Sequence, residues 1–179
     1  MRQPLPFGWP EAQNKMAPGA LQKSVILCRN LGKIRYSDGL TTMKKLTRDH
    51  LASLSGERKP TAQNILLLCE HFPVYTTGIR DKNVEDIERL ENLGAEFHFT
   101  DRGGLITFHG PGQLMCYPIL NLAQFKKSVG WYSKQLEEVG ILTCKKFGVV
   151  ADRTRDPGVW VDDSKIAAIG RCKVYNIQN

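Results

Sequence analysis

A chain of 179 residues, 41% hydrophobic and 24% charged, has the size and composition of one soluble globular domain. It contains no apolar run near the roughly 20 residues that a membrane-spanning helix needs. The net charge of +7 favours an acidic partner. The basic residues are scattered and form no nucleic-acid-binding motif, so we expect neither nucleic acid nor a membrane as partner.

Residues 1–23 hold several prolines and more basic than acidic residues, which predicts a disordered or targeting segment. A first strand is predicted at Ser24–Cys28, closed by Leu31 and Gly32. Apolar residues then recur every three or four positions from Tyr36 to Leu54 and predict a helix. The uniformly apolar run Asn64–Cys69 is typical of a strand buried on both faces, and Val74–Thr77 reads as a short extended piece.

The second half of the chain alternates predicted helices and strands. We expect a helix near 84–93, strands at 95–100, 105–109 and 113–120, and a long helix from Ser128 to about Phe147. Residues 158–161 and 165–169 read as a hairpin that turns through 162–164. Mixed strands and helices with hairpins predict an α+β fold.

Five cysteines are spread along the chain with no CxxC spacing and no paired histidines. This spacing argues against a disulfide framework or a zinc site and is typical of a reducing compartment. We expect no metal and no cofactor. Four cysteines lie in apolar or amphipathic runs and are expected to fill the core: Cys28, Cys69, Cys116 and Cys144. Cys172 is the one cysteine close in sequence to Lys165, and its two basic neighbours could lower the pKa of its thiol.

The stretch 101–118, DRGGLITFHGPGQLMCYP, combines four glycines with an arginine and a histidine. Glycines let the backbone lie directly against a ligand. The Arg102 guanidinium offers hydrogen-bond donors, and His109 exchanges protons near neutral pH. The apolar side chains between them provide walls: Leu105, Ile106 and Phe108. Such a slot suits an acyl chain that ends in a carbonyl group.

Four co-linear segments then carry a family resemblance. VILCRNLGKIRYSDGL, LLLCEHFPVYTTG, RGGLITFHGPGQLMCYPILNL and PGVWVDDSKIAAIG are similar to segments of the octanoyltransferases, the lipoyl(octanoyl) transferases of the lipoate-protein ligase B family. The match extends over roughly residues 25–170 in the family's order. The resemblance implies a catalytic domain over 24–170, with a mixed sheet flanked by helices as in the biotin and lipoate protein ligases.

The resemblance also implies an activity. Such enzymes move an octanoyl group from octanoyl-acyl carrier protein to a lysine of lipoyl domains, in 2-oxoacid dehydrogenases and in the glycine cleavage H protein. This is the first step of protein lipoylation, which is mitochondrial in a eukaryote and cytoplasmic otherwise. Both protein partners are usually acidic, and the +7 charge would steer them to this chain.

The resemblance assigns site residues too. The acyl pocket maps onto the run from Arg102 to His109: Arg102, Gly103, Gly104, Leu105, Ile106, Thr107, Phe108 and His109. A second wall maps onto Ala168, Ile169 and Gly170. Lys165 is the lysine that partners a catalytic cysteine in the family. An ammonium group near a thiol lowers the pKa of that thiol, and apolar neighbours such as Ile166 would desolvate the amine enough for it to act as a base.

After Gly170 the sequence departs from the family pattern. Residues 171–179 form a divergent tail, and the family's later strand, HG motif and nucleophilic cysteine have no counterpart in the sequence. We therefore expect a fold that lacks its C-terminal part. This leaves open a catalytically inactive form that only binds acyl groups, acyl carrier protein or lipoyl domains. An ATP-using ligase is a third alternative, disfavoured because no GRGRxG-like adenylate loop is present.

Overall fold

The computed structural model describes residues 25–56, 64–78, 87–101, 105–125 and 128–170. They form eight strands and three α-helices: β1 (Ile26–Ile34), α1 (Tyr36–Leu54), β2 (Asn64–His71), β3 (Val74–Thr77), α2 (Ile87–Asn92), β4 (Glu96–Phe99), β5 (Thr107–His109), β6 (Met115–Ile119), α3 (Val129–Lys146), β7 (Val159–Val161) and β8 (Ser164–Ala167). None of the helices among these residues is long and apolar enough to cross a bilayer.

The strands form two mixed three-stranded sheets and a separate hairpin. Sheet A has the order β1-β2-β6, with β1 parallel and β6 antiparallel to β2. Sheet B has the order β4-β3-β5, with β4 parallel and β5 antiparallel to β3. Only Phe72 and Pro73 separate β2 from β3, so the central strands of the two sheets follow one another directly. Mixed sheets with flanking helices confirm the predicted α+β fold.

The core lies between sheet A and α1. Leu67, at the middle of β2, is fully buried, and Ile65 and Ile119 beside it are almost fully buried. Met43 and Leu46 of α1 pack against this cluster. The predicted apolar face of the helix at residues 36–54 is therefore confirmed, since it covers one face of the sheet. The face of β2 towards α1 is buried, whereas Leu66, Leu68 and Glu70 on the other face are half-buried, so the predicted burial on both faces is met only in part.

The first strand is longer than predicted. It continues past Cys28 to Ile34 because Gly32 adopts a positive φ of 67° inside a register shift between Asn30 and Lys33. The Gly32 backbone N–H donates to the Asn30 side-chain oxygen at 2.9 Å. A glycine in this conformation lets a strand resume after a bulge instead of ending. The sequence prediction that Gly32 closes the strand was therefore wrong.

The cysteines correct a second prediction, namely that four of them fill the core. Cys69 is buried as expected, but Cys28 and Cys116 are exposed, and Cys144 is intermediate. Side chains alternate between the faces of a sheet. Cys28 and Cys116 pair with Leu66 and Leu68, so they share the face opposite to the one that α1 covers.

Other elements were confirmed with shifted ends. The long helix α3 begins after Ser128, whose Oγ accepts a hydrogen bond from the Trp131 N–H at 3.2 Å, as expected of an N-cap. Strand β5 begins at Thr107, and β8 ends at Ala167, so both are shorter than predicted. The predicted start of α2, residues 84–86, lies outside the described residues.

Candidate active site

Nine of the twelve predicted site residues lie in the described part of the chain. Arg102, Gly103 and Gly104 lie outside it. The others fall into two groups: residues 105–109 precede or form β5, and Lys165 with residues 168–170 belongs to β8 or follows it. Each group is held by its own set of contacts.

His109 is held through both ring nitrogens. Its Nδ1 lies 2.8 Å from Gln113 Oε1, and its Nε2 lies 3.1 Å from the hydroxyl oxygen of Thr76. An amide oxygen only accepts, so Nδ1–H donates to Gln113, and in the neutral ring Nε2 accepts from the Thr76 hydroxyl. The orientation of the imidazole is therefore fixed by a strand neighbour on β3 and by the turn after β5.

Tyr36 connects His109 to the junction of the two sheets. Its ring lies 6.4 Å from the His109 ring and nearly parallel to it, and within 5.3 Å of the rings of His71 and His98. The fully buried His71 is itself paired, because its Nδ1 donates to the Ile34 carbonyl at 3.2 Å and its Nε2 accepts from the Tyr117 hydroxyl at 2.8 Å. We call this group of five rings the junction cluster.

Burial raises the pKa of the Tyr117 phenol far above its ordinary value, with smaller contributions from Cys69 and Tyr36. The hydroxyl therefore stays protonated and can donate to His71. Sequence reasoning missed this network, as it missed Gln113 and Thr76. The partners of His71 lie 37 and 46 positions away, which no local pattern indicates. Gln113, four residues after His109 in the same glycine-rich turn, was the one detectable signal.

The apolar residues predicted as pocket walls face solvent. Alternation along β5 directs Thr107 and His109 to one face and Phe108 to the other. Phe108 is half exposed and packs on Tyr75, with ring centroids 5.0 Å apart. Leu105 and Ile106, just before the strand, are 67% and 39% exposed. The stretch thus presents apolar side chains to solvent, with Phe108 on the face of β5 opposite to the fixed imidazole.

Lys165 lies on the β7–β8 hairpin, whose tight turn contains Asp162 at a positive φ of 49°. It pairs across the hairpin with Trp160, and its Nζ lies 4.8 Å from the centre of the indole ring. The indole N–H donates to the Asp156 carbonyl at 3.0 Å. An ammonium over an indole face is a cation–π contact, so the Lys165 side chain is held against the Trp160 ring.

Helix α3 anchors the start of this hairpin. The almost fully buried Glu137 accepts a hydrogen bond from the Gly158 N–H at 3.1 Å, and its other oxygen lies 3.3 Å from Arg153 Nε. Arg153 also pairs with Glu138. Strand β7 is further fixed by two backbone hydrogen bonds between Asp152 and Trp160. Burying a carboxylate is costly unless it is paired, so the two partners of Glu137 make this a specific contact between α3 and the hairpin.

The apolar neighbours of Lys165 do not bury it. Lys165 and Ala168 are exposed, and Ile166 is 49% exposed. The desolvation predicted from these neighbours is therefore not provided. Among the described cysteines, Cys69 is buried, and burial, with a smaller effect of Cys116, raises the pKa of its thiol. Cys172 lies outside the described residues. In the ranges the structure covers, no three His, Cys, Asp or Glu side chains are grouped to hold a metal ion.

Known proteins resemble this chain in sequence and in fold. A Danio rerio protein named octanoyl-[acyl-carrier-protein]:protein N-octanoyltransferase LIPT2, mitochondrial, is 50% identical over 153 residues, which cover 84% of this chain and 66% of that protein. The Xenopus tropicalis protein of the same name is 44% identical over 148 residues, 82% of this chain and 61% of that protein. The chain thus spans about two thirds or less of the length of these curated relatives.

Among solved structures, lipoate-protein ligase A bound with ATP superimposes with a TM-score of 0.54 at 14% sequence identity, over 79% of this chain and 57% of that one. This likeness supports the fold. Residues 36–177 match the family model of the lipoyl protein ligase A/B catalytic domain. The family resemblance seen in the four co-linear segments is confirmed, and the chain belongs to the lipoyl protein ligase A/B catalytic domain family.

Proposed function

We propose that this protein is an octanoyltransferase. It takes the octanoyl group of octanoyl-acyl carrier protein and transfers it to a lysine of lipoyl domains, in 2-oxoacid dehydrogenases and the glycine cleavage H protein. The observation that carries the proposal is 50% identity to the Danio rerio octanoyltransferase over 84% of the chain. The ATP-bound ligase shares the fold at only 14% identity, so it supports no ATP-dependent activity here.

The net reaction converts a thioester into an amide. The acceptor lysine's amine, or first an enzyme thiol, attacks the thioester carbonyl carbon. The carbon–sulfur bond to the carrier breaks, the carrier leaves as a thiol, and a carbon–nitrogen bond to the acceptor forms with loss of one amine proton. A thiol exchanges acyl groups well only as the thiolate. We assign this task to the exposed ammonium of Lys165, which would favour the thiolate of a docked carrier or of an enzyme cysteine.

We assign the acyl group to the surface around β5 and the segment after β8. Leu105, Ile106 and Phe108 offer exposed apolar area in the same short segment as His109, whose ring is held in place by Gln113. The remaining contacts are proposed from the family pattern: Arg102, Gly103, Gly104 and Thr107 on the first wall, and Ala168, Ile169 and Gly170 on the second. An eight-carbon chain would gain about 0.8 kcal/mol for each buried methylene group.

Charge and location are consistent with this proposal. A net charge of +7 favours association with acidic carrier and lipoyl domains. The animal relatives are named as mitochondrial, and we propose the same compartment for this protein in a eukaryotic cell.

The test is a transfer assay followed by intact-mass spectrometry. The chain is incubated with octanoyl-acyl carrier protein and an apo lipoyl domain, and the lipoyl domain should gain the mass of one octanoyl group. Free octanoate with ATP should give no gain, and a lipoyl domain without its acceptor lysine should remain unmodified. Modification that requires ATP would identify a ligase, and no modification under either condition would contradict the proposal.

A further inference from the structure

The side chain of Lys165 lies along a surface that two other residues of the hairpin create. An added Cβ at Gly158 would lie 3.1 Å from both Cδ and Cε of Lys165, and 2.8 Å from the Ala167 carbonyl oxygen. Gly158 also has a φ of 140°, which side chains rarely adopt. A side chain at position 158 would therefore crowd the lysine stem, which packs where glycine leaves room.

The end of the same side chain is held by an aromatic face. Trp160 stands directly across the hairpin from Lys165, and the ammonium nitrogen lies 4.8 Å from its ring centre. The ring cannot turn freely, because its N–H donates to the Asp156 carbonyl and its backbone bonds to Asp152. Glu137 of α3 fixes Gly158 in turn. A chain of contacts thus runs from a buried helix residue to an exposed amine.

We infer that Trp160 and Gly158 are positioning residues that hold Lys165 as a directed ammonium. This inference rests on the proposed function for its purpose, since a fixed cation serves the activation of a thiol. Both water and the π face of an indole favour the charged form of an amine. The contact with Trp160 therefore directs the Lys165 ammonium, and we assign it the task of stabilising a nearby thiolate. Because the contact is made by a ring face, a conservative substitution at position 160 must keep an aromatic ring.

The first experiment measures the amine itself and needs neither octanoyl-acyl carrier protein nor a lipoyl domain. Wild-type chain, Trp160→Leu and Trp160→Phe are treated with an amine-acylating reagent, and the labelling rate of each lysine is followed by peptide mass spectrometry. A cation–π contact at an exposed site corresponds to about two- to five-fold protection. We expect Lys165 labelling to rise by that factor in Trp160→Leu and to stay near wild type in Trp160→Phe.

Internal controls separate positioning from unfolding. Lys145 and Lys146, in the last turn of α3, should label at the same rate in all three proteins. The ε-methylene protons of Lys165 should also show an upfield ring-current shift in wild type and Trp160→Phe that disappears in Trp160→Leu. Equal Lys165 labelling and equal shifts in all three proteins would overturn the inference.

The second experiment connects the contact to transfer. With octanoyl-acyl carrier protein and an apo lipoyl domain, Trp160→Leu should lower kcat several-fold with little change in KM, and Trp160→Phe should restore most of the rate. Lys165→Arg, which keeps a cation able to stack on indole, should retain more activity than Lys165→Met. Equal loss in both lysine variants would contradict the cationic role. If wild type itself transfers nothing, the proposed function fails, whereas the labelling result still decides the positioning.

Discussion

The junction cluster and the β7–β8 hairpin that carries Lys165 differ in burial and in where their contacts come from. At the junction, His71 is fully buried and each of its ring nitrogens has a hydrogen-bond partner from a distant part of the chain. On the hairpin, Lys165 is exposed, and its contacts come from residues within seven positions. The difference separates two kinds of site, because buried groups hold the sheets together while an exposed amine is open to solvent, as the role proposed for Lys165 requires.

This contrast predicts that stability should depend on the core beside the junction and hardly at all on Lys165. The largest effect is expected for Leu67→Ala. Leu67 is fully buried in the centre of sheet A, so the lost contacts and the cavity should lower the free energy of unfolding by about 2–5 kcal/mol. Urea denaturation followed by circular dichroism measures the change.

Leu142→Ala is the matched control for the core. Leu142 is 50% exposed on α3, so the same truncation should cost less than about 1 kcal/mol. Similar losses for the two leucines would show that sheet A is not the centre of the core.

An intermediate effect is expected where α3 holds the hairpin. Glu137→Ala removes the acceptor for the buried Gly158 N–H, which should cost about 1–3 kcal/mol because a buried donor is left unpaired. Glu138→Ala, which removes only an exposed ion pair with Arg153, should cost about 1 kcal/mol or less. Equal losses in paired urea titrations would refute the anchoring role of Glu137.

Tyr117→Phe tests the junction itself and should cost about 1 kcal/mol near pH 7, because His71 loses its hydroxyl partner. Burial raises the pKa of Tyr117 above the ordinary value near 10. Below that value the phenol is neutral in both the folded and the unfolded chain. Above it only the unfolded chain ionises at this position, so the wild-type free energy of unfolding falls as pH rises.

The pH series gives this prediction its control. The variant has no phenol at position 117 to ionise, so the stability difference between Tyr117→Phe and wild type should shrink above about pH 10. A difference that stays constant with pH would mean that Tyr117 titrates like an exposed tyrosine, and one that grows would mean that folding lowers its pKa; either result contradicts the prediction.

The smallest stability effect is expected for Lys165→Ala, within about 0.5 kcal/mol of wild type, since an exposed side chain is removed. The same titration, run beside Lys145→Ala as a second exposed site, checks it. A loss above about 2 kcal/mol would place Lys165 among the structural residues and weaken the contrast between the two regions.

Local patterns predicted the elements well, and long-range contacts set the limits of that prediction. The periodicity of α1, the Ser128 cap of α3 and the apolar run of β2 were all readable, because each depends on neighbours in sequence. The bulge at Gly32 and the exposed position of Cys28 depend on how β1 pairs with β2. A strand face is fixed only by its register and by the helix that covers it.

The same limit applies to the candidate site. Lys165 was identified through a family resemblance and His109 first through the chemistry of the glycine-rich stretch, and both remain predictions as site residues. The partners that orient them were not identified: Thr76 lies on another strand, and Trp160 faces Lys165 only because Val161 pairs with Ser164 around the turn. A sequence prediction that begins β8 one residue later does not place the indole opposite the amine.

The most direct test of the account is the rate of octanoyl transfer by Lys165→Ala, compared with wild type and Lys145→Ala under one set of conditions. Octanoyl-acyl carrier protein is the donor, and the mass of the lipoyl domain is the readout. We predict that wild type and Lys145→Ala transfer octanoyl groups at similar rates, whereas Lys165→Ala, folded and equally stable, loses at least about 100-fold in rate, the lower end expected when one electrostatic stabiliser is removed from an active site. Equal rates in all three proteins would contradict it.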